Sequence, residues 1–476
     1  MPVPLSILDL APLVSGGTAG DALRRTIDLA QRAEEFGYAR YWVAEHHFTA
    51  GVASSQPALL LGQIAAHTSR IRLGSGAVQT GHQTPLTIIE QFGLLDALYP
   101  RRFDLGLGRS GQRRSSSPPS GQGLASGSPL SSSGPSSGSS LSSGAPASSS
   151  LASGAPASSS LASGPSAGSS LASGPSAGSS LASGPSAGSS LSSGPSAGSS
   201  LSSGPSAGSS LSSGPSAGSS LSPSGPPPAD SRPARVVDGL LIPAPFSFAP
   251  LLASSRYALF ARLLQQPGAE SPDLPKVLDD IQALLAGAVT DDEGNEAHAV
   301  PGEGADLEIW ILGSSGGLSA QVAGERGLPF AANYHVAPAA VLEAVEAYRS
   351  AFKPSRTLAE PRVMVSADVV VADDDETARR LAEPYRHWVR SIRSGQGAIP
   401  FPSTDEARAL PWTDEDQELV ADRLATQFVG APHTVAERLR TLQRVTGADE
   451  LLVTTITHDH TDRVRSFQLL AKEWHQ

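Results

Sequence analysis

The sequence contains no cysteine. That absence excludes disulfide scaffolds, thiolate nucleophiles and cysteine-ligated zinc or iron–sulfur centres. Lysine is nearly missing as well. Lys276, Lys353 and Lys472 are its only occurrences, and arginine carries the remaining positive charge. The formal net charge is −11, whereas proteins that bind nucleic acid through its phosphates carry a basic footprint. Nucleic acid is therefore not an expected partner. No run approaches the ~20 apolar residues of a membrane helix. The opening Met1-Pro2-Val3-Pro4-Leu5 has neither the basic region nor the apolar core of a secretory signal. A cytoplasmic location without a membrane partner is expected.

A further absence is local. From Ser115 to Pro228 there is no Asp, Glu, Lys or Arg, and Leu recurs every ten residues from Leu141 to Leu221 within a Ser/Gly/Ala/Pro repeat. So sparse a leucine cannot build an apolar face, and Gly and Pro in each unit oppose helix and strand alike. Residues 115–228 read as a disordered, low-complexity insertion between segments 1–114 and 229–476.

What remains, about 360 residues, exceeds a minimal (β/α)8 barrel and suits one with insertions. Short apolar runs alternate with amphipathic stretches, the signature of a parallel sheet. Expected strands are Leu5–Asp9, Tyr41–Ala44, Ile71–Ala77, Phe103–Leu107, Glu308–Leu312, Phe330–Asn333, Val363–Val371 and Glu450–Thr455. The intervening helices include Asp21–Phe36, with Leu23, Ile27 and Ala30 at helical spacing and Gly37 as its stop. Val236–Ile242 reads as a short extra strand, and Asp374–Ile392 and Asp414–Phe428 as a helical region before the last strand. The fold class predicted is α/β, a (β/α)8 TIM barrel with the insertion after strand four; an open doubly wound sheet is the alternative.

Active sites of such barrels lie at the C-terminal ends of the strands, and polar residues gather there. Asp9 ends strand one and Glu45-His46-His47 ends strand two. Arg109 follows strand four, Gly313-Ser314-Ser315-Gly316-Gly317 follows strand five, Asn333-Tyr334-His335 follows strand six, and His458-Asp459-His460 follows strand eight. A histidine suits proton transfer near neutral pH, so His46 is the candidate for chemistry, with Glu45 and His47 in support. The Gly/Ser turn before a helix, including Ser314, Ser315 and Gly316, offers backbone N–H groups and hydroxyls to an anion, and Arg109 matches phosphate oxygens. Each motif also has a plain structural reading: hydrogen-bonded histidines, an ordinary strand-to-helix turn, a surface ion pair. His458-x-His460 has metal-ligand spacing, which keeps a metal-dependent TIM-barrel hydrolase open as a further alternative, although no metal is assigned.

Ordered motifs carry a resemblance across nearly all of the non-repetitive chain. They run Trp42-Val43-Ala44-Glu45-His46-His47-Phe48-Thr49, Arg72-Leu73-Gly74-Ser75-Gly76-Ala77, His82-x-x-Pro85, Arg102-Phe103-Asp104-Leu105-Gly106-Leu107-Gly108-Arg109, Trp310-Ile311-Leu312-Gly313-Ser314-Ser315 and Thr446-Gly447-Ala448-Asp449-Glu450-Leu451. Together they resemble the bacterial luciferase-like flavin-dependent monooxygenases. The resemblance implies reduced FMN at the barrel mouth, delivered by a separate flavin reductase, and O2 as co-substrate for oxygenation of a small organic molecule. It implies that His46 is the catalytic histidine and that Arg109 and the Ser314–Ser319 turn, Ser319 included, hold the flavin phosphate. It places a non-prolyl cis peptide at Gly76–Ala77, beneath the flavin ring. Relatives that use the deazaflavin F420 keep an F420-dependent oxidoreductase open, as is a non-catalytic flavoprotein using the insertion for interaction. A homodimer is common in the family. Gly108 stands where luciferase has a reactive cysteine, and Ser315 replaces its acidic residue, so light emission is not implied.

Overall fold

In the computed structural model, residues 2–109, 232–264 and 273–476 are described. The expected insertion at 115–228 lies outside them, as do Ser110 and Gly111.

Eight parallel strands form the barrel: β1 Leu5–Asp9, β2 Arg40–Val43, β3 Arg72–Ser75, β4 Phe103–Gly108, β5 Glu308–Gly313, β6 Phe330–Asn333, β7 Val363–Val371 and β8 Glu450–Thr454. Each pairs with its sequence neighbours. The ring closes where β1 meets β8, with Leu5 opposite Leu451, and is continuous at β4–β5, where Leu105 stands opposite Ile309. The open doubly wound alternative is thereby excluded. β7 is buried along its whole length, as expected of strands covered on both faces by helices. One apolar layer lies between the strands and the outer helices, drawing on Leu29, Ile64, Phe92, Leu278, Leu439 and Leu470.

The N-terminal floor of the barrel is ionic. Arg40 donates to Asp104 at 2.7 Å, to Glu308 at 3.0 Å and to Glu450 at 3.1 Å. Arg72 and Arg362 pair with the same acids, and the guanidinium groups of Arg40 and Arg362 lie over the buried Trp310 ring. Three arginines thus answer three carboxylates. That balance is what makes buried charge tolerable, and it leaves the opposite end of the barrel free for chemistry.

Some elements differ from expectation for identifiable reasons. Asp238-Gly239, both at positive φ, folds the 236–242 region into a hairpin of Arg235–Val237 and Leu240–Ile242, a sequence pair suited to a two-residue turn. The 374–392 helix is two helices, Asp375–Ala382 and Tyr385–Arg393, parted at Pro384. The helix from Asp414 ends at Thr426, and Phe428–Gly430 becomes a short strand beside the end of β7. Strand three stops at Ser75. The Gly76–Ala77 peptide is cis, and Val78–Gln79 resumes the pairing with β4. No helix among the described residues is long and apolar enough to cross a membrane.

Candidate active site

Parallel pairing brings the C-terminal ends of β1–β8 to one rim. A cavity of about 450 Å3 opens there, floored by Leu8, Leu452 and Thr454, with His46, Gly76, Leu312, His335, Asp368 and Arg423 in its walls. That volume is in the range of small-molecule sites. The excursion between β7 and β8 covers it from above through Trp388, Ile392, Arg393 and Ala398.

The chain leaves β2 at Val43 and turns, with the His46 amide donating to the Ser54 carbonyl at 2.8 Å. His46 points into the cavity. His46 is an exposed residue whose surface opens onto this protein-walled cavity. Desolvation, followed by the neighbouring His47, pushes its pKa down to about 4, against the weaker pull of Glu45. The imidazole is consequently neutral at physiological pH and can accept a proton. His335 lies close enough to sense it. His335 Nδ1 is 2.6 Å from Ser366 Oγ, and burial likewise takes its pKa to about 4. Two neutral imidazoles therefore share the cavity.

Glu45 is an organising residue. Its Oε1 accepts from His47 Nε2 and His82 Nδ1, both at 2.9 Å, and its Oε2 accepts from the Gln79 amide at 3.0 Å. Gln79 Nε2 returns a bond to the Glu45 carbonyl at 2.8 Å. The carboxylate thereby ties the histidine turn to the segment beyond the cis peptide. Among the described residues, Glu45, His47 and His82 form the one group whose potential metal-ligand atoms lie within 4.8 Å of one another, and their hydrogen bonds account for that closeness. His458 and His460 do not converge on it: His458 Nε2 lies 3.1 Å from Ser15 Oγ, and His460 Nε2 lies 2.8 Å from Asp28. Asp9 is likewise structural. Burial alone would raise its pKa, but Arg463, Tyr41 and the Ala11 amide outweigh it and leave the carboxyl below its usual range.

Gly76 lines the cavity wall, and a Cβ there would come within 2.7 Å of Leu8 Cδ1. Arg109 and the Gly/Ser turn meet at the rim: Arg109 Nε donates to Ser319 Oγ at 3.2 Å. Arg109 is exposed and has no carboxylate partner among the described residues. The helix Leu318–Glu325 begins at Gly317 with no side-chain cap, so its first N–H groups are free for an acceptor. Ser315 Oγ accepts from the Gly317 amide at 3.4 Å. Gly316 has a packing role, since a Cβ would approach Glu343 Cγ to 3.0 Å.

Several cavity residues were not singled out from the sequence. His335 stood at a recognised strand end, and His82, which holds Glu45 outside the cavity lining, stood in the His82-x-x-Pro85 motif, but neither was assigned a role. Asp368, in the middle of an apolar strand, and Arg423, on a distant helix, carried no local signal.

Residues 4–117 and 274–450 match the luciferase-like monooxygenase family. An uncharacterised Bacillus subtilis protein is 30% identical over 473 residues, covering 99% of this chain and 96% of its own. The N-acetyl-S-alkylcysteine monooxygenase of Bacillus subtilis is 51% identical over 108 residues, 23% of this chain and 32% of its own. Among solved structures, the oxygenating constituent of 3,6-diketocamphane monooxygenase from Pseudomonas putida, a type II Baeyer–Villiger enzyme in complex with FMN, superposes with a TM-score of 0.52 at 16% identity, covering 99% of this chain and 97% of its own. The closed barrel, the histidine-bearing mouth and the family match over most of the chain lead to one conclusion: this protein belongs to the luciferase-like monooxygenase family.

Proposed function

We propose that this protein is a flavin-dependent monooxygenase that uses reduced FMN, delivered by a separate flavin reductase, and O2 to oxygenate a small organic substrate. The observation that carries the reading is the alignment of three features on one rim: neutral His46, the Cβ-free wall at Gly76, and Arg109 beside an uncapped helix start.

These residues fit FMN. A phosphate would find the Arg109 guanidinium, the Ser319 and Ser314 hydroxyls and the free N–H groups of Leu318 and Ser319 at the helix start. Gly76 and Ala77 leave the wall smooth for a flat ring. Bound reduced FMN would supply the activation of O2. The chain's own groups do the rest. His46 Nδ1 or Nε2 holds or accepts a proton at the cavity wall. Glu45 fixes the turn that carries it, through His47, His82 and Gln79. Leu8, Leu312, Leu452 and Trp388 keep bulk water away from the reacting atoms. Glu45 and His47 are positioning residues; His46 is the catalytic residue.

The test couples the protein to a flavin reductase, NADH and FMN under 18O2, across a panel of aldehydes, ketones and thioethers. One labelled oxygen in a product, lost in His46→Ala, is expected. Reduced FMN binding without any labelled product across the panel, together with hydride transfer from reduced F420, would replace this reading with that of an F420-dependent oxidoreductase.

A further inference from the structure

Buried polar atoms in folded proteins almost always find partners. Among the described residues six side-chain atoms do not, and three of them, Arg423 Nε, Trp388 Nε1 and Thr454 Oγ1, belong to residues that line the active-site cavity. All three can donate a hydrogen bond. Half of the unpartnered atoms thus belong to residues of one cavity, each atom lying just behind its wall.

The arginines sharpen the chemistry. Arg423 is buried, and its Nη2 corner donates to Asp368 Oδ2 at 3.1 Å and to Tyr385 Oη. Its Nη1 has no partner but is not sealed off, and the cavity is the space that Arg423 lines. Arg393 also lines the cavity. Asp422 and the Leu419 carbonyl occupy its two Nη groups, and its Nε is left without a partner. Each guanidinium is already paired, Arg423 with Asp368 and Arg393 with Asp422, yet each keeps one N–H corner without a partner. The histidines, His46 and His335, are neutral at physiological pH. Much of the remaining wall is apolar, through Leu8, Leu10, Val52, Leu312, Ile392 and Ile456, with Thr49, Asn333, Ser366 and Thr454 as its neutral polar groups.

We infer that the substrate of this site is a small monocarboxylate, its carboxylate received by Arg423 and its apolar body lying along the leucine and isoleucine wall. The inference rests on the proposed oxygenase reading only for the word substrate; the binding preference stands or falls by itself. Charge-assisted bonds to a guanidinium favour a carboxylate over a neutral isostere. The leucine and isoleucine wall at the other end offers no partner to a second negative charge.

The experiment titrates the full-length protein, without flavin and without turnover, with hexanoate, hexanamide and adipate, followed by tryptophan fluorescence and calorimetry. Hexanoate is expected to bind at least about tenfold more tightly than hexanamide, the size of one charge-assisted bond, and adipate more weakly than hexanoate. The variant Arg423→Gln/Asp368→Asn removes both charges of the pair and so avoids a lone buried ion; in it, hexanoate and hexanamide bind alike. Equal binding of hexanoate and hexanamide to the unaltered protein overturns the inference without any variant. So does tighter binding of the amide, which would assign the head group as a neutral donor–acceptor. Undiminished preference for hexanoate in the double variant overturns the role of Arg423. Because neither FMN nor O2 is present, failure here and failure of the oxygenase reading are separate results.

Discussion

Replacing Glu45 with glutamine keeps the shape of the side chain and removes its charge. In the native site the buried carboxylate accepts from His47, His82 and the Gln79 amide at 2.9, 2.9 and 3.0 Å. Bonds to a charged acceptor contribute about 1.5–3 kcal/mol against about 0.5–1.5 for neutral ones. Three such bonds therefore lose about 3 kcal/mol in all, and the new NH2 group faces one donor it cannot pair with. With a urea m-value of about 3 kcal/mol/M for a chain of this size, the unfolding midpoint moves down by about 1 M. Turnover suffers too, because the same carboxylate ties the His46 turn to the segment beyond Gly76–Ala77. Reduced-FMN-dependent O2 consumption is expected to fall by about tenfold or more, the order expected when a catalytic group is displaced. Urea unfolding followed by circular dichroism and oxygen-electrode rates read the two effects. A midpoint within about 0.2 M of the native value, with unchanged O2 consumption, would refute the organising role of Glu45.

Lowering the pH tests the histidines: His46 and His335 have folded pKa values of about 4 against an ordinary 6.5, so the unfolded chain takes up protons first. They impose no penalty above pH 6.5, and stability declines as pH falls from 6.5 toward 4; thermal unfolding across that window should show the decline, while the His46→Phe/His335→Phe variant should show less of it. Arg40→Met leaves Asp104, Glu308 and Glu450 with Arg72 and Arg362 alone, and a loss of about 3–5 kcal/mol is expected by urea unfolding, the active-site cavity being at the opposite end. Replacing residues 118–228 by a short Gly/Ser linker is expected to leave the thermal midpoint within about 2 °C, because the eight strands close without them; a midpoint lowered well beyond that would give the repeat a structural role.

Much of the barrel was legible because each strand and helix is marked locally. Asp21–Phe36 carries its own apolar spacing and its Gly37 stop, and the helix observed, Ala19–Phe36, begins two residues earlier, after the Thr18 cap. Strand ends drew attention to His46 and Arg109 because a parallel barrel sends all its C-terminal ends to one face, and both residues do lie at that rim. Local signals fail where a side chain's role depends on distant partners. Asp9 ends β1 and His46 follows β2, and only the approach of Arg463 and Tyr41 marks Asp9 as a structural acid, while His46 is left as the proposed base. His458-x-His460 has ligand spacing in the chain, yet the two rings are drawn to Ser15 and Asp28. Arg423 reaches the cavity from a helix in the excursion between β7 and β8, and its meaning arises from Asp368 and Tyr385, 55 and 38 residues away in the chain.

The central claim is that the rim of this barrel holds reduced FMN through Arg109 and the Ser314–Ser319 turn, and it is tested most directly by anaerobic equilibrium titration with reduced FMN and, separately, with reduced F420. Saturable binding of FMN, tighter than that of F420 and weakened at least about tenfold in Arg109→Ala, is the expected result. Binding of F420 with none of FMN, or FMN affinity indifferent to Arg109→Ala, would contradict the account.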